Sequence, residues 1–276
     1  MIETHTSLLL VVIPLLAAPV TAILPNGRLP WLLTLAVSWL CFVLAIWQFM
    51  QVMDGSVISY ELGGWEPPWG IEYRIDIVNA FVALIVAGMA AVTLPYALLS
   101  VEQEIPKDRI SLFYATLLLC LDGLLGIAMT GDVFNLFVFL EISSLSSYTL
   151  ISMGRQRKAL TASYQYLIMG TIGATFLLIG IGLIYSETGS LNMVDLNNRL
   201  PAVFEHRTVH TAFAFIVVGV GLKLAMFPLH LWLPNAYTYA PSAVTVFLAA
   251  TATKVAVYVM LRMVFNVFST GFAYVT

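Results

Sequence analysis

The sequence has little charge and almost no cysteine. Of its 276 residues, 10% are charged and 60% are hydrophobic, and the mean hydropathy is +0.93. Soluble domains carry about 25% charged residues, so this composition excludes a soluble domain and indicates a chain that crosses a membrane several times. The two cysteines, Cys41 and Cys120, both lie in apolar runs, which excludes a disulfide framework and a cysteine metal site. We expect neither a metal nor a cofactor in this chain.

Eight apolar stretches are long enough to cross a membrane. A spanning helix needs about 20 apolar residues at a rise of about 1.5 Å per residue. The stretches cover residues 6–24, 30–53, 77–100, 110–130, 132–153, 160–186, 209–238 and 242–268. The seventh contains Pro228 and Pro234 and is predicted to be a broken helix. The predicted fold class is an all-α polytopic membrane protein with about eight transmembrane helices.

Charge in the loops predicts the orientation of the chain. The apolar run after Ser7 follows Glu3 and His5 rather than Lys or Arg, so an uncleaved first helix fits better than a signal peptide. With the N-terminus outside, the basic cluster at residues 154–158 lies in an inner loop, as the positive-inside rule requires. The predicted location is a prokaryotic cell (inner) membrane with the N-terminus outside.

Four ionisable residues fall inside predicted spans, and a histidine lies near them. They are Asp122, Glu141, Lys223 and Lys254, followed by His230. Each charge costs about 2.5–3.5 kcal/mol at the centre of a span, so intramembrane charges are functional by default. Four charges at similar depth predict a shared hydrated interior in which they face one another.

The surroundings of two of these charges predict proton chemistry. Lys223, Phe227 and His230 are spaced to share one helix face, and Glu141 shares a face with Ser144 and Tyr148. Burial favours a neutral lysine, whereas a nearby carboxylate favours a charged one. A Glu–Lys pair of adjustable separation is therefore a proton switch.

Plainer interpretations remain open for the same residues. A Glu–Lys pair can also be structural and only fix helix contacts. Asp122 can extend a relay, face a pore partner or lie displaced toward a helix end. Asp132, at the start of the fifth span, is expected to be a helix N-cap.

Three segments resemble a known family. Residues 130–152, which include "FNLFVFLE", and residues 166–193 and 221–262 resemble the antiporter-like subunits of respiratory complex I, membrane-bound hydrogenases and Mrp-type Na⁺/H⁺ antiporters. The sequence is most similar to the D-type subunit of Mrp antiporters. The resemblance extends from about residue 75 onward.

The resemblance implies roles for four residues. Glu141 corresponds to the family's glutamate of the fifth span, and Lys223 to the lysine of the seventh span that pairs with it. His230 corresponds to the histidine after the broken helix, and Lys254 to the lysine that carries protons toward the subunit centre. Asp122 matches no functional position of the family.

The family fold has two inverted five-helix repeats. The sequence contains three N-terminal helices in residues 1–109 and the first repeat in residues 110–276, without the second repeat. It is therefore a fragment, one half of a split subunit, or a native short form. A chain supplying the second repeat is an expected partner, together with other membrane subunits, lipids, protons and sometimes Na⁺, but no nucleic acid.

The resemblance implies a proton-translocating subunit, or its N-terminal half, in a multisubunit Mrp-type cation/proton antiporter. A rival function is that of the corresponding subunit of a membrane-bound hydrogenase or complex-I-like oxidoreductase. An inorganic-carbon uptake subunit and a structural subunit without transport are two further candidates. Because the sequence shows no redox centre, whether the chain belongs to an enzyme complex stays open at this point.

Overall fold

The computed structural model describes residues 2–268 of the chain, with side chains from His5 onward. The last eight residues of the predicted second part, 269–276, lie outside the described residues. The division of the chain at residue 109 stays a prediction.

The described part of the chain is almost entirely helical, and eight of its helices are long and apolar enough to cross a membrane. This confirms the predicted fold class and the eight predicted spans. In chain order the helices are α1 (Ile2–Ile23), α2 (Arg28–Gln51), α3 (Ile77–Glu104), α4 (Ile110–Met129), α5 (Val133–Ser152), α6 (Lys158–Thr188), α7 (Met193–Val203), α8 (Arg207–Leu224), α9 (Trp232–Tyr239) and α10 (Ser242–Leu261). A π-helical segment, Arg262–Val267, continues α10.

Helix α4 is the centre of the bundle. In its most apolar window, 83% of the residues are buried, the largest share among the eight spans of residues 2–268. It packs against α1, α2, α3, α5 and α10. Gly123 and Gly126 permit the close approach to α5, because a Cβ at these positions would collide with the Ser143 backbone and the Phe139 ring. This contact fixes α5, which carries Glu141, against the core.

A small hairpin ties the loops together at one end of the bundle. Strands β1 (Ile58–Glu61) and β2 (Glu72–Ile75) are antiparallel, within a segment predicted only as a loop. The Glu72 carbonyl accepts a hydrogen bond from Gly131 N (2.9 Å), and its carboxylate accepts one from Asn192 Nδ2 (2.7 Å). Through Glu72, the hairpin therefore connects the loop between α4 and α5 with the loop between α6 and α7.

The seventh predicted span is broken, as expected, at the residue whose carbonyl a helical Pro228 would clash with. Helix α8 ends at Leu224, before Pro228. Ala225 is left-handed (φ 57°), Met226 N donates to Gly221 O (2.9 Å), and Ala225 N donates to Leu222 O (3.2 Å). This bonding pattern is a Schellman motif, which normally has glycine at the left-handed position.

The early helix end corrects the prediction that Lys223, Phe227 and His230 share one helix face. Phe227 and His230 do not share a helix face with Lys223, because both lie beyond the end of α8. Pro234 lies in the first turn of α9, where the missing N–H of proline costs little.

The left-handed Ala225 provides a test of this helix end. Ala225→Gly should raise stability by about 1 kcal/mol, because glycine has no Cβ to strain a left-handed residue. Ala225→Val should lower it by at least about that amount, because a β-branched side chain tolerates this conformation poorly. Thermal unfolding of the purified detergent-solubilised protein measures both changes. Equal midpoints for the two variants would contradict the assigned helix end.

Candidate functional site

The structure brings Glu141 and Lys223 together as an ion pair. Lys223 Nζ lies 3.2 Å from Glu141 Oε1 and donates to Ser144 Oγ at 2.6 Å and to Tyr148 OH at 3.4 Å. The three partners lie on one face of α5, as the spacing predicts. This pattern supplies an oxygen for each of the three ammonium protons.

The two members of the pair differ in exposure. The Lys223 side chain is 5% exposed, whereas that of Glu141 is 23% exposed. A proton on Lys223 therefore lies inside the protein, while Glu141 lies at the rim of the bundle. A buried charge requires a partner, so removal of either side chain leaves the other in an unfavourable state.

The end of α8 favours the lysine charge at this position. Lys223 lies in the last helical turn, where the helix dipole is negative. Trp232 Nε1 donates to Leu222 O (3.0 Å), which gives this carbonyl of the last helical turn a second hydrogen bond beside that from Ala225 N. The end of α8 therefore stabilises the Lys223 ammonium, and the Trp232 indole hydrogen-bonds to the last turn of the helix.

Two aromatic residues that were not predicted as site residues, Trp232 and Tyr166, pack beside the ion pair. The Trp232 ring stacks on Tyr166 (3.9 Å between centroids, 2° between planes), and Tyr166 meets Tyr148 edge-on (4.5 Å). Both Trp232 and Tyr166 are buried. Their signal in the sequence is weak, since an aromatic residue in an apolar run usually packs in the core or at a membrane interface.

A small cavity with polar and apolar walls adjoins Lys223. It has a volume of about 30 Å³ and opens between α4, α5, α6 and α10. Its polar lining consists of Lys223, Tyr166 and the hydroxyls of Ser143, Ser144 and Ser147. Because one water needs about 10–15 Å³, the cavity has room for about two. It lies next to the ammonium group and leads toward α10.

Lys254 does not face this cavity. Ala252, Val255 and Ala256 of α10 line it, and the helical period places Lys254 on the other side of α10. Lys254 is exposed, and its Nζ donates to Ala249 O and Thr253 Oγ1 of its own helix. The expectation that Lys254 faces Glu141 and Lys223 in a shared interior is therefore wrong for this chain.

His230 and Asp122 also lie apart from the ion pair. His230 is half-buried in the segment between α8 and α9, its ring lies 5.6 Å from that of Phe227, and its Nδ1 has no hydrogen-bond partner in the described part of the chain. Asp122 is fully buried in α4, and its carboxylate makes no hydrogen bond with Glu141 or Lys223. Of the five predicted site residues, only Glu141 and Lys223 are in contact.

Asp132 has the capping role expected from its position. Its carboxylate accepts a hydrogen bond from Asn135 N (2.7 Å) at the start of α5. Within residues 2–268, no three His, Cys, Asp or Glu side chains come together in a way that would hold a metal ion.

The chain is similar to known membrane proteins of one family. The family model described as "NADH:quinone oxidoreductase/Mrp antiporter, TM" matches residues 130–276. The chain is 42% identical to NADH-quinone oxidoreductase subunit N of Desulforudis audaxviator, over 95% of this chain and 53% of that protein. It is 30% identical to the D-type subunit of the Na⁺/H⁺ antiporter of Bacillus subtilis, over 92% of this chain and 52% of that protein.

A solved structure shows the same fold. A subunit of the membrane-bound sulfane sulfur reductase, an archaeal respiratory membrane complex, superposes with a TM-score of 0.88 at 32% identity, covering 98% of this chain and 55% of that one. The chain spans about half the length of the curated relatives it matches. The buried Glu–Lys pair, the eight spans and these matches lead to one conclusion: the chain is a multi-pass membrane protein that belongs to the NADH:quinone oxidoreductase/Mrp antiporter transmembrane family.

Proposed function

We propose that this chain is the proton-translocating first half of an antiporter-like subunit in a multisubunit Mrp-type cation/proton antiporter. The observation that carries the proposal is the Glu141–Lys223 pair, which is buried on the lysine side, accessible on the glutamate side and bordered by a water-sized cavity. The similarity to the D-type antiporter subunit supports the choice of host complex.

The pair works as a proton switch through the separation of its charges. While Glu141 lies 3.2 Å from Lys223, the carboxylate stabilises the ammonium. When Glu141 moves away or takes up a proton, the buried ammonium loses its counter-charge and becomes unfavourable. The N–H bond then breaks, and the proton passes to water in the adjoining cavity. Return of the carboxylate favours reprotonation of Lys223.

Lys254 continues the path at the surface of this chain. It lies near the middle of α10 and is exposed next to Val257, with Leu261 two turns along the same face. A charge in the middle of a span is expensive against lipid, so this face requires a protein or hydrated cover. We propose that a polypeptide supplying the second repeat covers it and takes protons from Lys254. His230 joins the relay only if the segment between α8 and α9 moves.

The proposed orientation places the N-terminus and the hairpin outside a prokaryotic inner membrane. The support is the basic segment at residues 154–158, which lies at the opposite end of the bundle and faces inward under the positive-inside rule.

A redox-driven host is the second candidate. The 42% identity to NADH-quinone oxidoreductase subunit N and the fold match to the sulfane sulfur reductase subunit favour it. The pair chemistry would be the same, and the energy would come from electron transfer in other subunits.

Replacement of Lys223 tests the proton switch. Lys223→Ala, with the complete set of host subunits expressed, should lower proton transport in inverted vesicles about tenfold or more at matched complex abundance, because the buried proton carrier is lost. Glu141→Gln should lower it in the same way. Lys107→Ala changes an exposed loop lysine and is the matched control.

The same vesicles distinguish the host complexes. Collapse of a pH gradient on addition of Na⁺ supports the antiporter, whereas proton uptake that requires a respiratory electron donor supports the redox-driven relative. Wild-type transport in vesicles with Lys223→Ala would show that the pair is structural.

Replacement of Lys254 tests the proposed path at the α10 surface. Lys254→Ala should leave the thermal stability of this chain unchanged, because Lys254 bonds only within its own helix in the described structure. In the assembled complex it should lower proton transport about tenfold or more. An unchanged rate would show that protons do not leave the chain through Lys254.

A further inference from the structure

Helix α4 contains a buried carboxyl group that the Glu141–Lys223 pair does not use. The Asp122 side chain is fully buried, and neither carboxylate oxygen has a hydrogen-bond partner in the described part of the chain. An ionised carboxylate in such a place is far more costly than a neutral one, so an unpaired buried carboxyl either binds a proton or meets internal water.

Two unpartnered hydroxyl groups lie on helices that pack against α4. A cavity of about 10 Å³ lies between α2, α3, α4 and α10, lined by Thr34, Ser38, Thr93 and Leu121, which directly precedes Asp122. Ser38 Oγ and Thr93 Oγ1 are buried and have no hydrogen-bond partner within residues 2–268. The walls of this cavity are apolar, so the two hydroxyls stay without a partner among the described residues.

The polar groups lie at matching depth. Helices α2 and α4 run in the same direction, and Ser38 lies about 15 Å along α2, while Asp122 lies about 18 Å along α4. Asp122 and the cavity are therefore both near the middle of the membrane.

Polar side chains extend from this centre toward both ends of the bundle. Toward the hairpin, Asp122 is within electrostatic reach of Cys41 on α2 and of Tyr73 on β2. Burial and the charge of Asp122 together raise the pKa of the Tyr73 hydroxyl. Toward the other end, Tyr114 has a buried hydroxyl without a partner in the described chain and is within electrostatic reach of Glu102. Among residues 2–268, no lysine, arginine or histidine is hydrogen-bonded to Asp122.

We propose that Asp122 is a second proton-binding site of this chain, separate from the Glu141–Lys223 pair. In each cycle the carboxylic O–H bond breaks, the proton passes to a water molecule that enters the bundle, and the carboxylate later takes a proton back from water. This inference rests on the proposed proton-translocating function. The rival possibilities, a permanently protonated packing residue and a cation site, are outcomes of the test.

Transport by the assembled complex gives the first test. Asp122→Asn keeps the shape of the side chain but cannot ionise, and should lower proton transport about tenfold or more at unchanged complex abundance. Asp122→Glu, which restores a titratable group, should retain more activity than Asp122→Asn. Wild-type transport by Asp122→Asn would overturn the proposal.

Infrared difference spectroscopy of the same complex gives a test that does not depend on transport. A carboxylic-acid carbonyl band should change with pH in the wild type and shift in Asp122→Glu. A band that is insensitive to pH would show permanent protonation, and one that responds to Na⁺ at fixed pH would show a cation site; either would overturn the proposal. If the wild-type complex moves no protons, the proposed function fails, while the infrared result still decides the state of Asp122.

Discussion

The need to keep one ammonium group charged without bulk water organises the site. Lys223 is almost completely buried, and three oxygens of α5 surround its protons. Helix α8 ends one residue later, which places free carbonyls and the negative end of the helix dipole beside the charge. Trp232 hydrogen-bonds to the last turn of α8, and its ring stacks on Tyr166. Together these contacts offset the cost of burying the Lys223 charge.

The position of Glu141 depends on contacts at both ends of its helix. Asp132 caps the start of α5, and the hairpin fixes the preceding Gly131 through the Glu72 carbonyl. Along α5, glycines on α4 permit a backbone approach that larger residues would prevent. Glu141 is thus held on a rigid helix at the rim of the bundle, so the separation of the pair depends on side-chain movement or on the segment after α8.

Because Lys254 is exposed, the surface of α10 around it cannot simply contact lipid. A charge at mid-span is stable only where water or protein surrounds it. The chain spans about half the length of its curated relatives, and Lys254 lies on the face of α10 that points away from its own cavity. Under the proposed function, this face of α10 forms one side of a larger polar path.

The sequence by itself determined that the chain lies in a membrane, how many times it crosses it and which ionisable residues lie within the spans. Long apolar runs permit only helices in lipid, and charges within them are too costly to be accidental, so Glu141 and Lys223 stood out without coordinates. The face shared by Glu141, Ser144 and Tyr148 also followed from helical spacing.

Tertiary structure decided which charges meet. Lys254 and Asp122 lie in spans at suitable depths, but the rotation of α10 and the packing of α4 turn them away from Lys223. The helix end at Ala225 was hidden as well, because alanine normally favours a helix and only the bonds of the surrounding turn hold it left-handed. Depth along a helix can be counted from the sequence, whereas the direction in which a side chain points is set by the helices packed around it.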